Sequence, residues 1–150
     1  MQTTIDEIQQ IIGQFRQKIS AIPEVEFSAK PNQNKWSKKE ILGHLVDSGQ
    51  NNLRRFICGQ YESKPSKIIY DGDFWVRAND YQGKQSGEVI ELWRLINEQI
   101  CSVLRTMPTT NYNRSSDTGH EGEELHTLQH LAEDYVKHMK HHLNQIVPGS

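Results

Sequence analysis

Tyr135-Val136-Lys137-His138-Met139-Lys140-His141-His142-Leu143-Asn144-Gln145-Ile146 closes the last periodic segment of the chain. At 100° per residue, Leu128, Leu131, Tyr135, His138, His142 and Gln145 share one helical stripe, spaced by threes and fours. The stripe begins apolar, so it predicts a core-facing helix. It ends with two imidazoles one turn apart, about 5.4 Å along the axis. An i, i+4 histidine pair can turn both rings toward a single ion. The same pair near a helix C-terminus is also favourable as plain cations in the helix dipole, with no metal. Both readings stand at this point.

Working outward, three more amphipathic segments appear. Ile5, Ile8, Ile12, Phe15 and Ile19 predict a helix from about Thr4 to Ser20, with Thr4 as its N-cap. Pro23 and Pro31 bracket a connector. Ser37 and Glu40 form a capping box opening a helix that runs to about Cys58, with Trp36 folding back as a staple. Ile41, Leu42, Leu45 and Phe56 give its apolar side. His44, Ser48, Asn51 and Arg55 run along one edge, either as a solvated shoulder or as the wall of a polar cavity; on the residues alone the shoulder is the simpler reading. Gly59 to Asp73 reads as a long loop, and Asp73 to Tyr81 as a short helix pinned by Phe74 and Trp75. Val89, Leu92, Trp93, Ile96, Ile100, Val103 and Met107 predict a packing helix over Gly87 to Met107, capped by Ser86 and stopped by Pro108. Thr109 to Glu124 reads as a polar loop in which His120 is exposed and inert. The last helix starts at Thr127, with His126 and His130 as surface or local capping residues, and ends before Pro148. Four long amphipathic helices and no convincing strand predict an all-α four-helix bundle, one domain over 1–150.

Composition narrows the function. Hydrophobic residues are 35%, charged residues 24% and the net charge −2. No basic face is implied, so nucleic acid is not an expected partner. No apolar run suits a bilayer span, and Met1 to Ser20 does not read as a secretory signal, so the expectation is a cytoplasmic protein. Cys58 and Cys101 are isolated and read as buried, reduced thiols rather than a disulfide or metal site.

Three of the seven histidines suit one site: His44, His138 and His142. Two nitrogens from one helix and a third from a facing helix leave a coordination position open for water or substrate. Imidazole donors suit zinc, nickel, copper or iron. Asp134, one turn before His138, and Asp47, three residues after His44, are candidates to hold the free ring nitrogens, or are ordinary helix charges. His141 lies off the stripe, at the rim of the site.

Trp36-Ser37-x-x-Glu40-Ile41-Leu42-x-His44-Leu45-x-Asp47-Ser48, followed by Asp134-Tyr135-Val136-x-His138-x-x-His141-His142-Leu143-x-Gln145-Ile146, resembles the DinB-like superfamily across almost the whole chain. The resemblance implies a four-helix bundle with a crossover connection, assembled as a homodimer. It implies a divalent metal, zinc or nickel first, on His44, His138 and His142. Members with assigned chemistry are thiol-dependent S-transferases and isomerases that use a low-molecular-weight thiol, or metal-dependent hydrolases. The expected function is therefore a metal-activated thiol or water attacking a small electrophilic substrate. Ser48, Asn51, Asn52, Arg55 and His141 are the expected pocket residues, with Arg55 available to an anionic group. No side chain reads as a catalytic nucleophile. The rival expectation is a non-catalytic, stress-associated bundle dimer with a structural metal or none.

Overall fold

The computed structural model describes residues 1–149. Its elements, in order, are α1 (Gln2–Ser20), α2 (Glu24–Phe27), α3 (Lys38–Tyr61), β1 (Ser66–Lys67), α4 (Gly72–Asn79), α5 (Ser86–Thr106), β2 (Ser115–Asp117), β3 (Leu125–Thr127) and α6 (Leu128–Ile146). A 3-10 turn over Tyr81–Gly83 links α4 to α5.

The four long helices are α1, α3, α5 and α6. Extensive contacts run α1–α5, α5–α3, α3–α6 and α6–α1. This closes a ring in which α1 lies diagonal to α3, and α5 diagonal to α6. Helices consecutive in the chain are therefore not ring neighbours in those two cases, which is the crossover connection. The apolar stripes meet at the centre: Ile5, Ile8 and Ile19 of α1, Leu42, Leu45 and Phe56 of α3, Trp93, Ile100 and Leu104 of α5, and Leu128, Met139 and Leu143 of α6 are all buried. Burying side chains of this size contributes about 1.5–3 kcal/mol each.

Helix ends follow local chemistry. Ser37 Oγ accepts from Glu40 N at 3.1 Å and Glu40 Oε2 accepts from Ser37 N at 2.8 Å, the complete capping box. Thr127 Oγ1 accepts from His130 N and so caps α6. Two expected caps are corrected. Helix α1 begins at Gln2, and Thr4 is buried inside its first turn rather than capping it. Gln85, not Ser86, is the N-cap of α5, and Glu88 Oε2 accepts from its amide at 3.2 Å. Leu92 lies 42% exposed and Phe74 59% exposed, so neither is a core anchor. Cys101 is buried, Cys58 half-buried, and both are free.

The expectation of no strand is also corrected. β1 pairs parallel with β2, and β2 antiparallel with β3. The strands are two or three residues long and rich in serine, so they carry no alternation to read. Ser116 Oγ donates to Ser66 O at 2.7 Å, and Ile68 N to Asp117 O at 3.1 Å. This small sheet binds the α3–α4 connection to the α5–α6 connection. No helix among the described residues is long and apolar enough to cross a membrane.

Candidate metal centre

Helix α3 carries His44 on its second turn, and α6 carries His138 and His142 on its third and fourth. The α3–α6 contact brings the three rings together, with centroids 5.2 Å (44–138), 4.8 Å (44–142) and 4.5 Å (138–142) apart. One ligand atom from each lies within 4.8 Å of the others, so the cluster could hold a metal ion. His44 Nε2 and His138 Nε2 are 3.3 Å apart. An ion ~2.0–2.1 Å from two tetrahedrally placed nitrogens sets them ~3.3–3.4 Å apart. The donor set therefore fits the group.

Burial and the other two imidazoles hold His44 down at about 3. Burial first, then His142, holds His138 down at about 4 against the opposing charge of Asp134. Burial also lowers His142, opposed by its bond to Gln145. All three rings are neutral near pH 7, the state in which imidazole offers a lone pair.

The outer faces of the rings are held unequally. His142 Nδ1 meets Gln145 Oε1 at 3.0 Å, and Gln145 Nε2 meets His141 Nε2 at 3.2 Å. His138 Nδ1 lies 3.4 Å from Ser48 Oγ. His44 Nδ1 is buried without a hydrogen-bond partner. A Cβ at Gly72 would stand 3.4 Å from the Cε1 and Nδ1 of that ring. The Trp36 ring covers His44 at 4.9 Å, so the indole is a wall of the site rather than a helix staple alone.

The two aspartates, read as holding the free ring nitrogens or as ordinary helix charges, differ in their surroundings. Asp47 is fully buried, and its Oδ1 accepts from Tyr81 Oη at 2.6 Å and Asn79 Nδ2 at 2.9 Å. Burial pushes its carboxyl up to about 6 against those two bonds. It ties α4 and the following turn to α3, and leaves the His44 ring alone. Asp134 is exposed and acts on His138 through charge.

Of the expected pocket residues, Ser48, Asn51 and Asn52 are buried, Arg55 is half-buried and His141 is exposed. Asn52 Nδ2 donates to Ser48 O at 2.9 Å, and Asn51 Nδ2 to Asp47 O at 2.9 Å. Arg55 donates through Nε (3.1 Å) and Nη2 (2.6 Å) to Ile68 O, and through Nη1 to Asn52 Oδ1. Its guanidinium thus fastens the segment after β1 to α3. Tyr70 faces Ser48 and Arg55 from that segment, with burial raising its phenol. His141 is exposed and lines a groove of about 560 Å³ between α1 and α6, with Glu7, Phe15 and Lys140. A second groove, about 530 Å³, runs along Lys35, Trp36, Ile41, Asp73 and Gln145. It lies against the triad, because Trp36 covers His44 and Gln145 bonds His142. Reading the sequence did not assign Tyr70, Asn79, Tyr81 or Gln145 to the site. Gln145, on the same stripe as His142, carried the one local signal.

The molecule is thus a crossover four-helix bundle with a three-histidine cluster able to hold a metal ion. The chain belongs to the DinB superfamily, whose family model matches residues 7–146. It is 22% identical over 145 residues to "Putative metal-dependent hydrolase YfiT" of Bacillus subtilis (strain 168), covering 95% of this chain and 79% of that protein. It is 23% identical over 146 residues to "Putative metal-dependent hydrolase BH0277" of Halalkalibacterium halodurans, covering 97% and 84%. The solved structure of YfiT, described as a probable metal-dependent hydrolase with an unusual four-helix bundle topology, superposes with a TM-score of 0.86 at 21% identity, over 97% of this chain and 82% of that one. The crystal structure of the mycothiol-dependent maleylpyruvate isomerase superposes with a TM-score of 0.80 at 6% identity, over 99% of this chain and 61% of that one. At these identities the structural likeness establishes the fold.

Proposed function

We propose that His44, His138 and His142 hold a divalent ion, zinc or nickel, and that the protein is an enzyme of the hydrolase or thiol S-transferase type acting on a small electrophile. The single observation that carries this is the 3.3 Å approach of two neutral Nε2 atoms from separate helices, with the third ring beside them. A divalent ion there supplies a Lewis-acid position that lowers the pKa of a water or thiol and yields a nucleophile near neutral pH. The rest of the work falls to the chain itself. His44 is fixed by Trp36 on one face and by the α3 backbone, eight-tenths of a turn from the Asp47 anchor. His138 Nδ1 has Ser48 Oγ beside it at 3.4 Å. The groove along Trp36, Ile41 and Gln145 gives a small substrate an approach beside the triad, with an apolar wall for its body and Lys35 and Asp73 for polar groups. The hydrolase half of the reading is supported by the names of the two curated relatives, and the thiol half by a shared fold alone.

The test is metal content and activity of untagged protein. Wild type is expected to take up one zinc or nickel per chain, and His138→Ala to lose it. Wild type loaded with metal is then offered ester, amide and epoxide electrophiles with and without small thiols. Full metal retention by His138→Ala would overturn the ligand assignment. A loaded protein inert toward the whole panel would favour a structural metal.

A further inference from the structure

We infer that Gln145 is a positioning residue for this centre: its side-chain amide, bonded to His142 on one side and His141 on the other, fixes which ring nitrogen His142 presents to the ion. The inference rests on the proposed metal site.

Gln145 Oε1 carries no proton, so at 3.0 Å from His142 Nδ1 the proton must be on the ring. A neutral imidazole has one N–H, so Nε2 of His142 keeps its lone pair and is the nitrogen left to serve as ligand atom in the cluster. The amide nitrogen only donates, so at 3.2 Å from His141 Nε2 that nitrogen accepts, and the His141 proton sits on Nδ1. The two contacts therefore agree with a single orientation of the amide. Turning it by 180° would put a donor against His142 Nδ1, move the ring proton to Nε2 and remove the lone pair from the cluster. It would also require His141 to shift its own proton to Nε2. With both bonds kept, the two tautomers are coupled through the amide, which links His141 to the centre through Gln145.

The other ligands lack a comparable hold. Ser48 Oγ is 3.4 Å from His138 Nδ1, at the long limit for such a bond, and His44 Nδ1 has no partner. Gln145 itself is exposed on the last turn of α6, so it packs little and its removal separates from folding. It also lines the groove beside Trp36, so a bound substrate would lie against the amide that sets the ligand.

The experiment uses full-length protein, zinc as the probe, and Gln145→Leu and Gln145→Glu. Zinc affinity is read by competition with a chromophoric chelator, and the His142 tautomer by long-range proton–nitrogen NMR of the metal-free protein. Loss of a residue that orients a ligand typically weakens metal binding about 10–100-fold. Gln145→Leu is expected to show that loss, together with a His142 signal no longer confined to the Nδ1–H form. Gln145→Glu keeps the acceptor and is expected to restore both readouts. Leucine at 145 with wild-type affinity and an unchanged tautomer would overturn the inference, as would a glutamate variant as weak as the leucine one. Wild-type protein that takes up no zinc, with the tautomer still following residue 145, would sink the metal reading while upholding the grip of the amide on His142.

Discussion

Gly43→Ala places the smallest possible side chain at the tightest spot beside the site. A Cβ at Gly43 would stand 2.1 Å from Tyr81 Cδ2 and 2.2 Å from Cγ. Those atoms belong to a rigid ring that is 2% exposed, so the ring must move. Forcing such a shift in a packed core costs about 1–3 kcal/mol. The same ring carries the hydroxyl that donates to buried Asp47 at 2.6 Å. Losing a hydrogen bond to a charged group costs about 1.5–3 kcal/mol more. Alanine returns about 1 kcal/mol in helix propensity. The net is a destabilisation of roughly 2–5 kcal/mol, which for a chain of this length lowers the melting temperature by roughly 5–15 °C. Gly13→Ala is the matched control: Gly13 sits exposed within α1, with nothing within 4 Å of the added carbon. It should gain up to about 1 kcal/mol. Thermal and urea unfolding of both variants gives the comparison. A Gly43→Ala protein as stable as wild type, or as Gly13→Ala, would refute the packing of Tyr81 on α3 and with it the anchoring of Asp47.

Two further outcomes are expected. Acidification should unfold the metal-free protein through the triad: with His44 held at about 3 and His138 at about 4, below the ordinary 6.5, the unfolded chain takes up protons first, so stability is full above about pH 6.5 and falls as pH drops toward 4. Each such proton contributes a slope of about 1.4 kcal/mol per pH unit, while Asp47, raised to about 6, gives the opposite sign between pH 4 and 6 and softens the fall; urea midpoints measured from pH 7.5 to 4 that do not decrease would contradict the buried neutral rings. Arg55→Met should free the Ile68 carbonyl and cost about 1–3 kcal/mol, with faster hydrogen exchange at Ile68 and along β1; an unchanged exchange pattern with weakened binding of an anionic ligand would instead restore Arg55 to the anion role.

What could be read from the sequence divides by the range of the interaction. The long helices show in their three-and-four spacing, and the Ser37–Glu40 box in a four-residue motif. The His138–His142 pair is local to α6. Its meeting with His44 spans 94 residues, and rested on the resemblance of two motifs rather than on any spacing. Asp47 illustrates the converse: a helix neighbour of His44 by position, it is claimed by Asn79 and Tyr81, 32 and 34 residues away. Arg55 looked free for the same reason, since its partner is a backbone carbonyl in a connector with no pattern of its own. The sheet was illegible because its strands are too short and too polar to alternate.

Helix α3 carries an argument of its own. A bundle selected for packing alone would place aliphatic residues along the face that meets α6. Instead α3 buries His44 and Ser48 against α6, with Asp47, Asn51 and Asn52 buried close by, and His44 Nδ1, Asp47 Oδ2 and Asn51 Oδ1 have no hydrogen-bond partner. Each such group costs about 1–3 kcal/mol. Among the described residues one further buried side-chain atom lacks a partner, Trp93 Nε1 on α5. The deficit is therefore concentrated within two turns of His44, beneath the point where the three rings converge. Violations of packing logic that gather at one place, in a fold otherwise consistent from caps to core, are the kind expected at a functional site, and they support the proposed role of the triad.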